Sequence, residues 1–173
     1  RVIFVGVGTS GRLGVLESAE MPPTFGTDAE VVHAIMAGGK GAILQAKEGS
    51  EDNYEEGARQ INRLQPTRRD VVVGVSASGM TSFVRGALTR ARQAEARIIF
   101  ITCDPATELQ TFVDLTIAPA VGPEVIAGST RLKAGTATIT GSVISGNTAT
   151  SFGGGVYAHA GVTDLTITDT RVS

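Results

Sequence analysis

The sequence is short of most features that announce a function by themselves. It has one cysteine, Cys103, so no disulfide framework can form within the chain. It has two histidines, and no metal-ligand spacing links His33, His159 and Cys103. No Ser-His-Asp arrangement can be drawn, and no metal or cofactor is expected. The 15 basic and 17 acidic residues leave a net charge of −2, so no global field draws the chain to nucleic acid or to an anionic lipid surface. Any anion must be held by local groups. No apolar run is long enough for a membrane span, and no signal peptide is visible, which leads to a cytoplasmic expectation that the lone cysteine also fits. The chain opens on Arg1 and passes straight into a strand, so a fragment with its start removed is expected.

What the sequence does contain is two regions with different patterning. From Arg1 to about Gly135, short β-branched runs alternate with longer amphipathic stretches. Val2–Val7, Val71–Val75, Ile98–Thr102 and Leu115–Ala118 are nearly continuous apolar runs, as strands buried on both faces of a parallel sheet require, and Val31–Met36 reads as a further strand. Leu13–Ala19, Ala42–Ala46, Tyr54–Leu64 and Phe83–Gln93 carry apolar residues at helical spacing. Alternation of this kind predicts an α/β architecture of βαβ units. Beyond it the chain turns rich in Thr, Ser, Gly and Asn, and Thr138-Ile139-Thr140 returns 28 residues later as Thr166-Ile167-Thr168. This tail weakly resembles the coils of bacterial parallel β-helix proteins, and a flexible polar tail fits it equally.

The most informative feature is a pair of matching strand-to-helix junctions. Val2-Ile3-Phe4-Val5-Gly6-Val7-Gly8-Thr9-Ser10-Gly11 aligns with Val71-Val72-Val73-Gly74-Val75-Ser76-Ala77-Ser78-Gly79, placing Gly6 on Gly74, Gly8 on Ser76, Ser10 on Ser78 and Gly11 on Gly79. Small residues let backbone N–H groups approach an anion, and a helix N-terminus adds unpaired donors and a positive dipole end. Two such junctions at the carboxyl ends of strands in one sheet predict a shared crevice for a phosphorylated ligand. Capping of the helices by Thr9, Ser10, Ser76 and Ser78 would use the same donors. Gly6, Gly8 and Gly11 also satisfy G-x-G-x-x-G, but the next strand, Val32-His33-Ala34-Ile35-Met36, ends without the acid that a dinucleotide ribose requires.

Charged residues near these junctions supply the candidates for chemistry. Glu20 precedes Met21-Pro22-Pro23, whose prolines predict an extended exit from the first helix. Glu51 and Asp52 follow Gly49-Ser50 and are expected to open the next long helix, with Glu51 four residues after Lys47 as a potential surface pair. Arg131 and Lys133 sit in Gly128-Ser129-Thr130-Arg131-Leu132-Lys133-Ala134-Gly135-Thr136, the densest mixture of small, hydroxyl and basic residues in the chain.

Several of these segments together resemble the N-acetylmuramic acid 6-phosphate etherases of the sugar isomerase (SIS) domain superfamily. The resemblance rests on Gly6 through Gly14, Glu20-Met21-Pro22-Pro23-Thr24-Phe25-Gly26, Ala37-Gly38-Gly39, Glu48-Gly49-Ser50-Glu51-Asp52, Asp70 through Gly79, Gly122-Pro123-Glu124-Val125 and Gly128 through Ala137, in family order. It implies an SIS-type domain over residues 1–137, truncated, followed by a β-rich or disordered tail over 138–173. It further implies a lyase of cell-wall recycling that removes D-lactate from a phosphorylated amino sugar and leaves N-acetylglucosamine 6-phosphate. By motif, Glu20 is the proton donor to the departing lactate and Glu51 the second acid/base, assigned to C2. Thr9, Ser10, Gly11, Ser76, Ala77, Ser78 and Gly79 are expected to hold the sugar phosphate, with Arg131 or Lys133 meeting phosphate or lactyl carboxylate. The family commonly dimerises. The regulatory relatives in the superfamily imply an alternative, a sugar-phosphate-binding domain without turnover.

Two departures stand out. The Ser-Gly-Arg-Thr-Pro run usual after the second loop reads Ser78-Gly79-Met80-Thr81-Ser82, which removes a cation. Ala134-Gly135-Thr136-Ala137 leads into Thr138-Ile139-Thr140 where the family continues as a long apolar helix, so a natural fusion or a chimeric reading frame is expected.

Overall fold

The structure is a computed structural model that describes residues 1–122. Arg131, Lys133 and the 138–173 tail, with the alternatives put forward for it, lie outside the described residues.

Five β-branched-rich segments form five parallel strands: β1 (Val2–Gly6), β2 (Val32–Met36), β3 (Val71–Val75), β4 (Arg97–Ile101) and β5 (Leu115–Ile117). Their order in the sheet is β2-β1-β3-β4-β5. In register, Val2 faces Val32 on one side and Val71 on the other, and Val71 faces Arg97. Four helices connect them: α1 (Gly8–Phe25), α2 (Gly41–Leu44), α3 (Tyr54–Arg63) and α4 (Ser82–Gln93). Topology and layering agree with the expected α/β class and with βαβ crossovers.

Alternate residues along the strands feed two cores. Ile3, Val5, Val72, Ile98 and Phe100 pack with Ile61 of α3 and with Phe83, Val84, Ala87, Leu88 and Ala91 of α4. The opposite face gathers Val73, Val75 and Ile101 with Phe4, Ile99 and Ile117. There α1 lies against β1 and β2 through Gly14, where a Cβ would come within 2.6 Å of the Phe4 Cβ. On the first face α3 and α4 cross backbone to backbone. Gly57 lies against the Phe83 carbonyl and Gly86 against the Tyr54 carbonyl, with no room for a Cβ at either place.

Three local features differ from expectation. Helix α1 runs through Pro22 and Pro23 to Phe25 and ends on Gly26, whose N–H donates to the Pro22 carbonyl at 2.9 Å. Neither proline can donate to the preceding turn, but Ser18 and Ala19, which lose those bonds, are half-buried and exposed, so water can meet their carbonyls. Glu20 therefore lies within the helix rather than at its end. Glu51 and Asp52 do not open α3. They occupy a separate 3-10 turn, Ser50–Asp52, and the Asn53 side chain caps α3 by accepting the Glu56 N–H at 2.9 Å. The two matching junctions also diverge in space. One residue, Val7, separates β1 from α1, whereas six, Ser76 to Thr81, separate β3 from α4.

Candidate functional site

The sheet changes winding direction between β1 and β3, since the chain moves from β1 outward to β2 and then returns to β3 on the other side. In open parallel sheets the crevice beyond the carboxyl ends of two such strands is where ligands bind. A cavity of about 290 Å³ occupies that position. Val7 to Ser10 line it from the first junction, Val75 to Ser78 with Met80 and Thr81 from the second, and Glu51 and Asp52 from the 3-10 turn. The structure thus brings together Thr9, Ser10, Ser76, Ala77, Ser78 and Glu51 from three separate stretches of sequence.

Close approach builds the first wall. A Cβ on Gly6 would come within 2.6 Å of the Gly11 nitrogen, and one on Gly11 within 2.8 Å of the Gly6 carbonyl oxygen, so these two glycines let α1 start directly on the strand end. Gly11 and Gly6 therefore shape the site from behind, and neither lines the cavity. The first turn of α1 has no side-chain cap and no acidic residue. Its N–H groups at Gly8, Thr9 and Ser10 have no partner within the helix and carry the positive end of its dipole into the cavity.

The second wall is a loop pinned from outside. The Ala77 carbonyl accepts the Cys103 N–H at 3.0 Å and the Thr102 hydroxyl at 3.4 Å. The Gly79 carbonyl accepts the Thr107 hydroxyl at 3.3 Å. A trans peptide points its C=O and N–H in opposite directions. Anchoring these two carbonyls therefore turns the Ser78 and Met80 N–H groups away from the bracing segment, toward the side on which both residues line the cavity. Gly79 permits the turn with φ of +74°. Inside the loop the Ser76 and Thr81 hydroxyls meet at 2.7 Å. Thr81 also stands at the N-terminus of α4, whose first turn holds no acid, so a second helix end opens on the same space.

The walls supply neutral donors, and among the described residues the only charges lining the cavity are the carboxylates of Glu51 and Asp52. Met80 is 77% exposed, so the position lacking the family's cation faces solvent at the rim. Arg12 and Lys47 lie beside the cavity rather than in it. Lys47 makes no ion pair with Glu51; its ammonium donates to the Gly38 carbonyl at 2.8 Å. Glu20 is exposed and stands eleven residues beyond Thr9 on α1, about 16 Å along the axis. It lines neither this cavity nor its neighbours. His33 sits on the edge strand β2, as expected of a strand residue, with Nε2 3.6 Å from Glu30. Thr81 and Met80, noted in the sequence only as part of the altered run, also line the cavity. The Thr-Ser pair preceding Phe83 is a helix-start signal that marks the first of them.

The family model for the SIS domain matches residues 54–148, and the model for the glucokinase regulatory protein N-terminal SIS domain matches residues 1–92. The chain belongs to the SIS domain family. Within it, this SIS chain is 51% identical over 138 residues to an N-acetylmuramic acid 6-phosphate etherase of Thermosynechococcus vestitus, covering 80% of this chain and 45% of that protein. It is 51% identical over 137 residues to one of Klebsiella aerogenes, covering 79% and 46%. The chain spans a little under half the length of the curated relatives it matches. Among solved structures the SIS fold is shared with a phosphoheptose isomerase from Neisseria gonorrhoeae, at TM-score 0.52 and 19% identity, covering 72% of this chain and 66% of that one. It is shared also with a phosphoheptose isomerase from Francisella tularensis, at TM-score 0.53 and 17% identity, covering 80% and 72%. No helix among the described residues is long and apolar enough to cross a membrane.

Proposed function

We propose that this chain carries the N-acetylmuramic acid 6-phosphate etherase site and that the cavity between β1 and β3 receives the phosphorylated amino sugar. The observation that supports this best is the convergence of two helix N-termini, the Thr9, Ser10 and Ser78 side chains and the Glu51 carboxylate on one cavity. A phosphate dianion suits the donors, and the carboxylate suits a neutral carbon acid beside them. In the open-chain sugar the C1 aldehyde acidifies the C2 proton. Glu51 removes that proton, the C3–O bond breaks, and an acid protonates the departing lactate oxygen. Water then adds at C3 and a proton returns to C2, giving N-acetylglucosamine 6-phosphate and D-lactate. Two carboxylates in different surroundings can divide this work without a metal.

Glu20 is the proposed acid. It stands about 16 Å along α1 from Thr9 and lines none of the cavities around Glu51, and Leu16, one turn before it, is 54% exposed. We infer that the enzyme is a homodimer in which Glu20 of one subunit serves the cavity of the other, acting in the cytoplasm. Arg131 or Lys133 adds a cation to the phosphate. The SIS-type domain is assigned to residues 1–137.

Calorimetric titration tests the site. N-acetylglucosamine 6-phosphate is expected to bind and unphosphorylated N-acetylglucosamine not to, with Ser78→Ala weakening the first. Equal binding of the two sugars would overturn the assignment. Lactate release separates the etherase from a regulatory domain of the same fold.

A further inference from the structure

Glu51 lines a second, smaller cavity of about 140 Å³, which shares Val7, Gly8 and Thr9 with the main one. A group bound beside Glu51 therefore has access to both spaces. Among the described residues the main cavity is lined by no lysine or arginine, whereas the smaller one is lined by Arg12 and Lys47. Arg12 is committed to structure, donating from Nε to the Ile43 carbonyl at 2.7 Å and from Nη2 to the Ala42 carbonyl at 2.9 Å. Lys47 is not. Its ammonium spends one of three donors on the Gly38 carbonyl, at 2.8 Å, and the side chain remains exposed.

The substrate of the proposed reaction carries two anionic groups, the phosphate on C6 and the lactyl carboxylate on the C3 oxygen. C3 is bonded to C2, the carbon that Glu51 serves. With the phosphate at the helix N-termini and C2 at Glu51, the C3 substituent is within one bond of the carbon beside Glu51, the residue that both cavities share. We propose that Lys47 is the subsite for the lactyl carboxylate and so distinguishes the ether substrate from its own product. This inference rests on the etherase reading above. Glu48 and Glu51 line the same cavity, so a third carboxylate is accepted there only because the ammonium offers it two further N–H donors and a compensating charge. The Gly38 bond holds the ammonium in place before the ligand arrives.

The competing explanation is that Lys47 only braces the segment leading to Glu51. Calorimetry in a Glu51→Gln background, which halts turnover, separates the two. Lys47→Met keeps the length of the side chain and removes its charge. The inference predicts that Lys47→Met weakens N-acetylmuramic acid 6-phosphate by roughly tenfold to a hundredfold, the range of a charge-assisted bond. It predicts less than about a twofold change for N-acetylglucosamine 6-phosphate, which lacks the lactyl group, and substantial recovery in Lys47→Arg. Equal weakening of both sugars, or of neither, overturns the inference while leaving the etherase site intact. Failure of the parent chain to bind either sugar phosphate overturns the etherase reading and the inference with it.

Discussion

The Ser76 and Thr81 hydroxyls meet at 2.7 Å and close the β3–α4 loop from its two ends. Ser76 is the first residue of the loop after β3 and is 4% exposed, and Thr81 is the residue from which α4 departs. This bond fixes the separation of strand end and helix start, and with it the position of the Ser78 and Met80 N–H groups. Thr81→Val keeps the shape, removes the hydroxyl and leaves the buried Ser76 Oγ without this partner. The affinity for N-acetylglucosamine 6-phosphate should fall about tenfold, the scale of one net hydrogen bond, and Thr81→Ser should retain it. Calorimetric titration of the three proteins checks the order.

The α3–α4 crossing gives a prediction about stability. Gly57 and Gly86 each lie against a backbone carbonyl of the other helix, and carbonyls cannot swing aside as a side-chain tip can. Alanine normally favours a helix over glycine, by about 1 kcal/mol. Here Gly57→Ala and Gly86→Ala should both destabilise, by roughly 1–3 kcal/mol or more, because the helices must separate. Thermal melts that show either variant at or above the parent would contradict the crossing.

Asp70 gives the stability a pH dependence. It is 3% exposed at the start of β3. Its carboxylate receives Arg1 Nε at 2.9 Å and Nη2 at 3.0 Å, and the Thr67 N–H at 2.7 Å and hydroxyl at 3.1 Å. The Arg1 guanidinium first, and Thr67 with it, hold the Asp70 carboxyl well below the usual carboxylate range. A folded-state pKa below the unfolded one stabilises the fold above the unfolded value, about 3.9, and the gain fades as pH falls toward the depressed value. Asp114, which accepts the Ile98 N–H at 2.6 Å, is lowered in the same direction and adds to the trend. Asp70→Asn should cost roughly 2 kcal/mol at pH 7. The gap to the parent should close as pH falls below about 4 in denaturant titrations. A gap that stays constant down to about pH 2 would show that the ionised form plays no part.

The placement of Glu20 outside the cavity that Glu51 lines leads to a test by complementation. If each site takes Glu20 from one subunit and Glu51 from the other, Glu20→Gln and Glu51→Gln chains are each inactive alone. Mixing and refolding them forms heterodimers with one intact site. Lactate release should then return to about a quarter of the parent rate, the share expected when chains pair at random. Absence of any recovery would place both carboxylates in one chain's site.

The strands were legible in the sequence because each is a continuous β-branched run buried on both faces, a pattern that needs no knowledge of the partner. Helix α1 was not fully legible. It starts at Gly8, well before the large apolar residues begin, since the face it buries is made of Gly11 and Gly14 rather than of Leu or Ile. Its end is hidden in the sequence because a proline's lost bonds cost little where water can replace them. The donor-rich side of the cavity could be read, as small residues and hydroxyls after a strand mark a tight strand-to-helix junction. The Ser76–Thr81 bond could not, because it depends on a six-residue turn whose path is set by carbonyl anchors on Thr102, Cys103 and Thr107. The smaller cavity was equally hidden. Lys47 reads as a surface partner of Glu51, four residues on, whereas its ammonium meets the Gly38 carbonyl and the intervening Gly49 takes φ of +73°.

Release of D-lactate from N-acetylmuramic acid 6-phosphate, followed together with N-acetylglucosamine 6-phosphate, tests the central claim most directly. The account predicts the two products in equal amounts and loss of release in Glu51→Gln, whose binding of N-acetylglucosamine 6-phosphate persists. Lactate release at the parent rate in Glu51→Gln, or sugar-phosphate binding with no release by the parent protein, would contradict it.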